Sequence, residues 1–458
     1  MKDQKRKIET FSFYDHTSIE NHLEKMAQKG WLLKKMNRFT WEYHRIQPKK
    51  IHFAVTYYPK ASEFDPEPLE GQLVYRDYSE YSGWKFICSS AQMQIFYNEE
   101  ENPVPLETDP TVEVNVIHKA AKRVFLPSQY LLLGITILQA ALFISSLLGD
   151  PIRLLASTTQ LTTGFLWALL FLQCASELIT YHRWYHKARK AAENGEFLDT
   201  HSHVLFQKIL LLAAIVGCIY IIINLLSAGD KFQLMIYVLL LAGVIALVAI
   251  VCGVKDLLKR KKASRTTNFT VTLVVDIVLA LALFAGVTFG TIRSVQTEKY
   301  EPDSILYQVE APLTVEDLVD ISFDGYIKEN RQSESIFLGQ RALWQWPRRE
   351  GNEHIDVPTL QYTVTIVKVP AIYNFCKNSM VNKPKDRLDN EGNLFINHYE
   401  SVDASPWQAK EAYQLHWSEG ILFKYILCYE DRLIEIDFDW EPTADQMRIV
   451  AEKLAQAE

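Results

Sequence analysis

The chain has 458 residues, of which 48% are hydrophobic, and its 48 basic and 55 acidic residues give a net charge of −7. That length excludes a single ordinary core and favours two or three domains. Residues 1–125 hold 18 basic and 18 acidic residues, 126–290 hold 13 and 8, and 291–458 hold 17 and 29, for nets of 0, +5 and −12; a neutral N-terminal domain of this kind argues against nucleic acid as a partner.

The N-terminal part reads as a duplicated unit. "FSFY" at 11–14 is a strand candidate, and "DHTSIENHLEKMAQKG" follows with Ile19, Leu23, Met26 and Ala27 at helical spacing and Gly30 as its stop. "KGWLLKKMNRFTWEYHR" at 29–45 then alternates as a hairpin. The order returns with strand "IHFAVTYY", a helix over 70–81, Gly83, and "SGWKFICSSAQMQIFYN" at 82–98. One strand-helix-strand-strand unit cannot cover both faces of its strands, so two copies are expected to complete one sheet with both helices on one face. Trp31 and Trp84 are expected as core anchors at the helix-to-sheet corner. The sharper alternative is a binding surface on the concave face, with Trp41, Tyr43, Tyr57, Phe96 and Tyr97 receiving an apolar or cationic ligand. The element order resembles the tandem, ferredoxin-like modules of GyrI-like ligand-binding proteins, which supports a fold and no residue role.

A connector then opens an amphipathic helix, with Thr108 or Asp109 as cap, Pro110 in its first turn and basic residues at its far end. Five apolar runs follow at 126–148, 157–179, 207–227, 232–254 and 269–290, each near the roughly 20 residues a bilayer core requires. "MKDQKRKIETF" has no apolar region of a cleaved signal, so the first run is expected as an internal anchor. Basic residues cluster before the first run, between the second and third (Arg183, Lys187, Arg189, Lys190) and between the fourth and fifth (Lys255, Lys259, Arg260, Lys261, Lys262, Arg265). The positive-inside rule then predicts a cell-membrane protein with a cytoplasmic N-terminus and an extracytoplasmic C-terminus.

"HLEKMAQKGWLL", "FAVTYYP" and "YSGWKFICSSAQMQIFYNEEENPVPLETD", together with the apolar runs downstream, resemble the bacterial domain-of-unknown-function family 2812. The resemblance is strongest over 11–125. It implies a multipass membrane protein of Gram-positive bacteria, often encoded near regulators of the PadR type, and carries no catalytic residues.

Few constellations point to chemistry. His182 and His186 stand at i and i+4 with Asp199, His201 and His203 in the same loop, a spacing that fits a metal; a basic, aromatic helix at headgroup level accounts for the same residues. Asp276 lies seven residues after Phe269, the first residue of the fifth run, about 10 Å along the helix from its inner end. A carboxylate there needs a partner, for which Lys208 is a candidate, with Glu177 at similar depth. No P-loop or nucleophile elbow is present.

Residues 291–458 read as a third, α+β domain: a helix in "LTVEDLVDI", a strand in "LQYTVTIVKV", a hairpin turning at Glu430-Asp431, and a helix from Thr443. Four tryptophans in "ALWQWPRRE" and "SPWQAKEAYQLHW" are expected mainly in the core. Cys376 and Cys428 are read as buried small hydrophobes, with a disulfide as the alternative. The expectation is therefore α+β domains flanking five transmembrane helices, with the lipid bilayer and a cytoplasmic regulator or another membrane protein as partners. The role expected is signalling or regulatory, without enzymatic activity or cofactor, and the alternative is a transporter or transporter subunit using Asp276.

Overall fold

The computed structural model describes residues 3–37, 40–200, 204–227, 231–298, 311–321, 323, 325–347, 357–383, 387–388, 394–395, 397–417 and 420–455. Contacts divide the chain into two compact units, Met1–Ala140 with Leu166–Val295, and Ala141–Phe165 with Gln296–Glu458.

The first unit begins with the duplication, present element for element. β1 (Gln4–Lys7), α1 (His16–Gln28), β2 (Trp31–Met36) and β3 (Trp41–Arg45) are followed by β4 (His52–Tyr57), α2 (Glu70–Tyr81), β5 (Lys85–Ser90) and β6 (Met93–Asn98). The Asp15 carboxylate caps α1 by accepting from Ser18 N–H at 3.4 Å. Gly30 and Gly83 end the helices at φ +79° and +85°, a region open to glycine, and at Gly30 a Cβ would lie 3.0 Å from the Ile46 carbonyl oxygen.

Two expectations are corrected here. The copies form two three-stranded antiparallel sheets of matching order, β1-β3-β2 and β4-β6-β5, and not one continuous ladder. β2 shifts register between Leu33 and Lys35, and β5 between Phe86 and Cys88. A bulge in each of these edge strands breaks the regular donors and acceptors that a shared ladder requires. The first strand is also Gln4–Lys7 and not 11–14, where Phe11, Phe13 and Tyr14 turn their rings into the core instead. Ile19, Leu23, Met26 and Ala27 of α1 join Leu33, Tyr43, Ile51, Phe53 and Ile95 in that core, as the helical spacing predicts. Trp84 is buried with its indole N–H on the Val104 carbonyl at 2.8 Å, whereas Trp31 is half-buried.

α3 (Pro110–Arg123) starts on the Asp109 cap, with Pro110 in its first turn. One residue later α4 (Phe125–Gly149) begins; α5 (Pro151–Ala156), α6 (Thr158–Glu193), α7 (Val204–Ser227), α8 (Lys231–Arg260) and α9 (Arg265–Glu298) follow. Five of these helices are long and apolar enough to cross a membrane. The 36-residue α6 is about 54 Å long at 1.5 Å per residue, well beyond a hydrocarbon core of about 30 Å. Its excess length carries Tyr181 and Trp184 into the core of the N-terminal domain, beside Tyr14 and Phe125. The 59–68 loop meets the α8–α9 turn: Lys255 pairs with Glu63 at 2.7 Å, Arg265 with Asp65 at 3.9 Å, and Asn268 donates to the Phe64 carbonyl at 3.2 Å.

In the second unit one antiparallel sheet has the order β12-β13-β14-β15-β9-β8-β7. Its strands are β7 (Tyr326–Glu334), β8 (Leu338–Pro347), β9 (Leu360–Val367), β12 (His398–Val402), β13 (Glu411–Trp417), β14 (Gly420–Cys428) and β15 (Arg432–Phe438), and β10 (Arg387–Leu388) pairs with β11 (Leu394–Phe395) apart from it. Alternation along β14 and β15 sends Leu427, Ile434 and Ile436 to one face and Ile426, Cys428 and Leu433 to the other. The first face is covered by 313–318, Trp407 and α11 (Ala444–Val450), which starts on the Thr443 cap as predicted. The second lies under α10 (Tyr373–Val381) and α5, where Ser335 donates to the Leu155 carbonyl and Asp150 pairs with Lys383 at 3.1 Å.

The helix expected in "LTVEDLVDI" is one 3₁₀ turn, Val315–Asp317, because Leu313, Val315 and Leu318 are all drawn down onto the sheet. Of the four tryptophans only Trp407 is fully buried; Trp346 is 36% exposed, and Trp344 and Trp417 are half-buried. Cys376 and Cys428 are free thiols buried in one apolar cluster.

Truncating Leu427, a fully buried residue of β14, to alanine should cost about 2–5 kcal/mol. Hydrogen exchange on the full chain should show β9, β14 and β15 amides losing protection, while β4 and β6 stay unchanged.

Candidate ligand-binding cavity

α1, β4, the connector 101–107, α3 and residues 197–199 enclose a cavity of about 550 Å³ within the first unit. Apolar walls come from Phe53, Val55, Tyr57, Trp84, Val116 and Ile117. Alternation in β4 and the helical stripe of α3 bring these side chains to one space, since Phe53, Val55 and Tyr57 share a strand face.

Set into the apolar lining are five carboxyl side chains, Glu20, Glu101, Glu107, Glu113 and Asp199, and two imidazoles, His16 and His52; among the described residues no Lys or Arg lines the cavity. Glu113 sits 3.3 Å from His16 Nε2, and the other ring nitrogen of His16 is 3.3 Å from the Tyr14 carbonyl oxygen. Burial disfavours a charged His16, but the Glu113 hydrogen bond and the Glu20 and Glu113 charges outweigh it and hold the imidazole above its ordinary value. Glu20 accepts from Val55 N–H at 2.8 Å. Burial pushes its carboxyl up to about 7, with Glu113 and Glu24 adding to the effect and His16 and the Val55 N–H opposing it. Glu107 is raised as well, first by burial, with Glu113 and Asp109 adding to it against a hydrogen bond from Tyr75. That bond, from Tyr75 Oη, measures 3.2 Å.

Of the five aromatic residues expected to face a ligand, Tyr57 lines the cavity, where its hydroxyl donates to the Phe13 carbonyl at 2.6 Å. Tyr43 and Phe96 are completely buried. Trp41 lies against Phe11 with centroids 5.6 Å apart, and Tyr97 sits under Lys85 Nζ at 5.7 Å. The other sequence candidates occupy separate places. Glu177 is buried, accepts from Ser12 Oγ at 3.0 Å and also from Gln207 Nε2. Lys208 lies near His22, whose imidazole is held low first by burial and then by the charges of Lys7 and Lys208 against that of Glu9. Asp276 is half-buried in α9, and among the described residues no ion pair joins it to Lys208. His182 Nε2 lies 2.7 Å from Tyr130 Oη, and His186 is exposed against Tyr185. His201 and His203 fall outside the described residues, among which no group of His, Cys, Asp or Glu is arranged to hold a metal.

Sequence reasoning missed His16, Glu20, His52, Glu107 and Glu113. Their only trace is acidic residues at positions that also carry helix and connector signals, and such residues read as solvated surface until the walls close around them.

Fold and cavity together define a membrane-spanning α+β protein with a ligand-sized cavity in its N-terminal domain. Residues 15–128 match the family described as Protein of unknown function (DUF2812), so the resemblance seen in the sequence is borne out over this segment. The match takes in every cavity wall except 197–199. No curated protein and no solved structure matched the chain.

Because Glu20 titrates near 7 in the fold against an ordinary value of 4.5, ionising it opposes folding, increasingly from pH 4.5 to 7 and fully above. Glu20→Gln should therefore raise the unfolding temperature of the full chain at pH 8 and leave it nearly unchanged at pH 5, as thermal unfolding at the two pH values will show.

Proposed function

We propose that the chain is a membrane receptor that transmits the occupancy of this cavity to its spans, acting in signalling or regulation without chemistry of its own. One observation carries the reading: α3 supplies Glu113, Val116 and Ile117 to the cavity wall and, after the single residue Val124, continues as the first membrane helix. α3 is stiff along its own length, so a ligand that moves Val116 and Ile117 displaces Arg123, and only the non-helical Val124 (φ −132°) separates that end from Phe125. Phe125 lies 5.6 Å from Tyr181 and 5.8 Å from Phe13, which gives the displacement a route into α6 and the turn that leads into α1.

Orientation follows the basic residues. Glu63 and Asp65 of the N-terminal domain pair with Lys255 and Arg265 of the most basic turn, and such turns are retained in the cytoplasm. This supports a cytoplasmic N-terminal domain, and five crossings then carry the chain out before the acidic C-terminal domain. The partner in this reading is a cytoplasmic regulator or another membrane protein.

Ile117→Trp, which fills the cavity, should change hydrogen exchange in residues 125–132 of the full chain in nanodiscs, and two glycines inserted after Arg123 should abolish the effect. An unchanged α4, or turnover of a cavity ligand by the purified chain, would overturn the reading. An epitope after Glu458 should be labelled on intact cells and one before Met1 only after permeabilisation; labelling of both ends under the same condition would remove the two-sided arrangement.

A further inference from the structure

Resting on the reading of the cavity as a ligand site, we infer that it takes an amphiphilic organic cation, a protonated amine or onium group carrying an apolar body. The cationic centre lies among Glu20, Glu107 and Glu113, and the body lies against Phe53, Trp84 and Ile117.

Charge and shape select this class together. An anion would meet five carboxyl side chains with no Lys or Arg among the described lining residues, leaving only His16 and His52 to balance it. A neutral apolar ligand would fill the walls but leave the Glu20 carboxylate buried with no opposite full charge except a protonated His16, which Glu113 already engages at 3.3 Å. Among the described residues Glu20 has one hydrogen bond, from Val55 N–H to one oxygen, so its other oxygen stays free to meet a ligand. A small inorganic cation would not use the apolar walls, and the carboxylates come from α1, the connector, α3 and the 197–199 segment around a space of about 550 Å³, where no metal cluster is formed among the described residues. An organic cation satisfies both halves of the lining: its charge is paired in a low-dielectric site, and its body covers apolar surface beside the aromatic rings of Tyr57 and Trp84.

The groups facing Glu20 give the site a signed pH response. They are His16 and Glu24 from α1, His52 and Tyr57 from β4, Glu107 from the connector, Glu113 from α3 and Asp199 from the segment before α7. Glu20, pushed up to about 7, is half neutral at physiological pH, and a bound cation favours its ionised form. His16, held above its ordinary value, loses a competing positive charge as pH rises. Both changes strengthen cation binding from pH 6 to pH 8.

The test uses the full chain in phosphatidylcholine nanodiscs, with empty discs subtracted, and an isosteric pair of opposite charge, tetraphenylphosphonium and tetraphenylborate, measured by equilibrium dialysis and by quenching of tryptophan fluorescence. The phosphonium should bind saturably, at least fivefold tighter at pH 8 than at pH 6, and the borate should not. Glu20→Gln should weaken phosphonium binding at pH 8 at least tenfold and flatten its pH dependence. Glu107→Gln should also weaken it, and Glu400→Gln, in the other unit, should leave it unchanged. Equal binding of the two ions, indifference to Glu20→Gln and Glu107→Gln in folded protein, or displacement of the phosphonium by 1 mM magnesium would overturn the inference. Phosphonium binding without any change in α4 would count against the receptor reading alone, whereas an α4 that responds to Ile117→Trp in a chain that binds no cation would overturn only the inference drawn here.

Discussion

Everything in the first unit depends on one aromatic contact set, in which Tyr14, Phe125, Tyr181 and Trp184 meet. Tyr14 is 5.2 Å from Tyr181 edge-on and 5.3 Å from Trp184, and Phe125 is 5.6 Å from Tyr181. These four residues belong to the turn before α1, the first residue of α4 and the overlong end of α6. Through this packing the cavity floor and the apolar helices share one core, where otherwise α3 and a few polar links would join them. The Ser12–Glu177–Gln207 hydrogen bonds add a polar anchor below the rings, with Ser12 Oγ accepting from Gln207 Nε2 at 3.1 Å.

That coupling explains why the duplicated domain is placed where it is. A neutral domain gains little by steering charged partners, but it contains a local concentration of carboxyl groups, of which burial raises Glu20 and Glu107 above their ordinary value. The energy that burial withholds from Glu20 is available to any ligand that restores its charge. α3 forms both a wall of the cavity and, across Val124, the lead-in to the first apolar helix, so in the proposed reading the residues that face a ligand are also those joined to α4. The basic α8–α9 turn is tied to the domain through Glu63 and Asp65, so part of this basic cluster is structural.

The second unit is built on a different principle. A sheet covered on both faces must bury alternate residues in opposite directions, and Leu427 beside Cys428 does so. One of the covers, α5, is the short helix directly after the first apolar helix, so the C-terminal sheet packs on a segment far back in the sequence as well as on its own neighbours. The free thiols of Cys376 and Cys428 act in this packing as small apolar side chains, pushed up to about 11 and 12 by burial.

What the sequence alone determined was whatever depends on local periodicity and on solvent. The five membrane helices, the repeat with its two stop glycines, the Asp109 and Thr443 caps and the hairpin turning at Glu430-Asp431 were all legible, because each follows from residues within a few positions of one another. Only the tertiary structure decided which strand edges pair, where 11–14 goes, that the first helical expectation of the last domain shortens to a 3₁₀ turn, and that Glu20, Glu107 and Glu113 face one space. Bulges interrupt the facing strands β2 and β5, the rings of Tyr181 and Trp184 hold Tyr14 and those of Tyr57 and Phe125 hold Phe13 out of a strand, and a carboxylate acquires its raised pKa only when distant segments remove its water. Those are effects of contacts between residues far apart in the chain, and no local pattern encodes them.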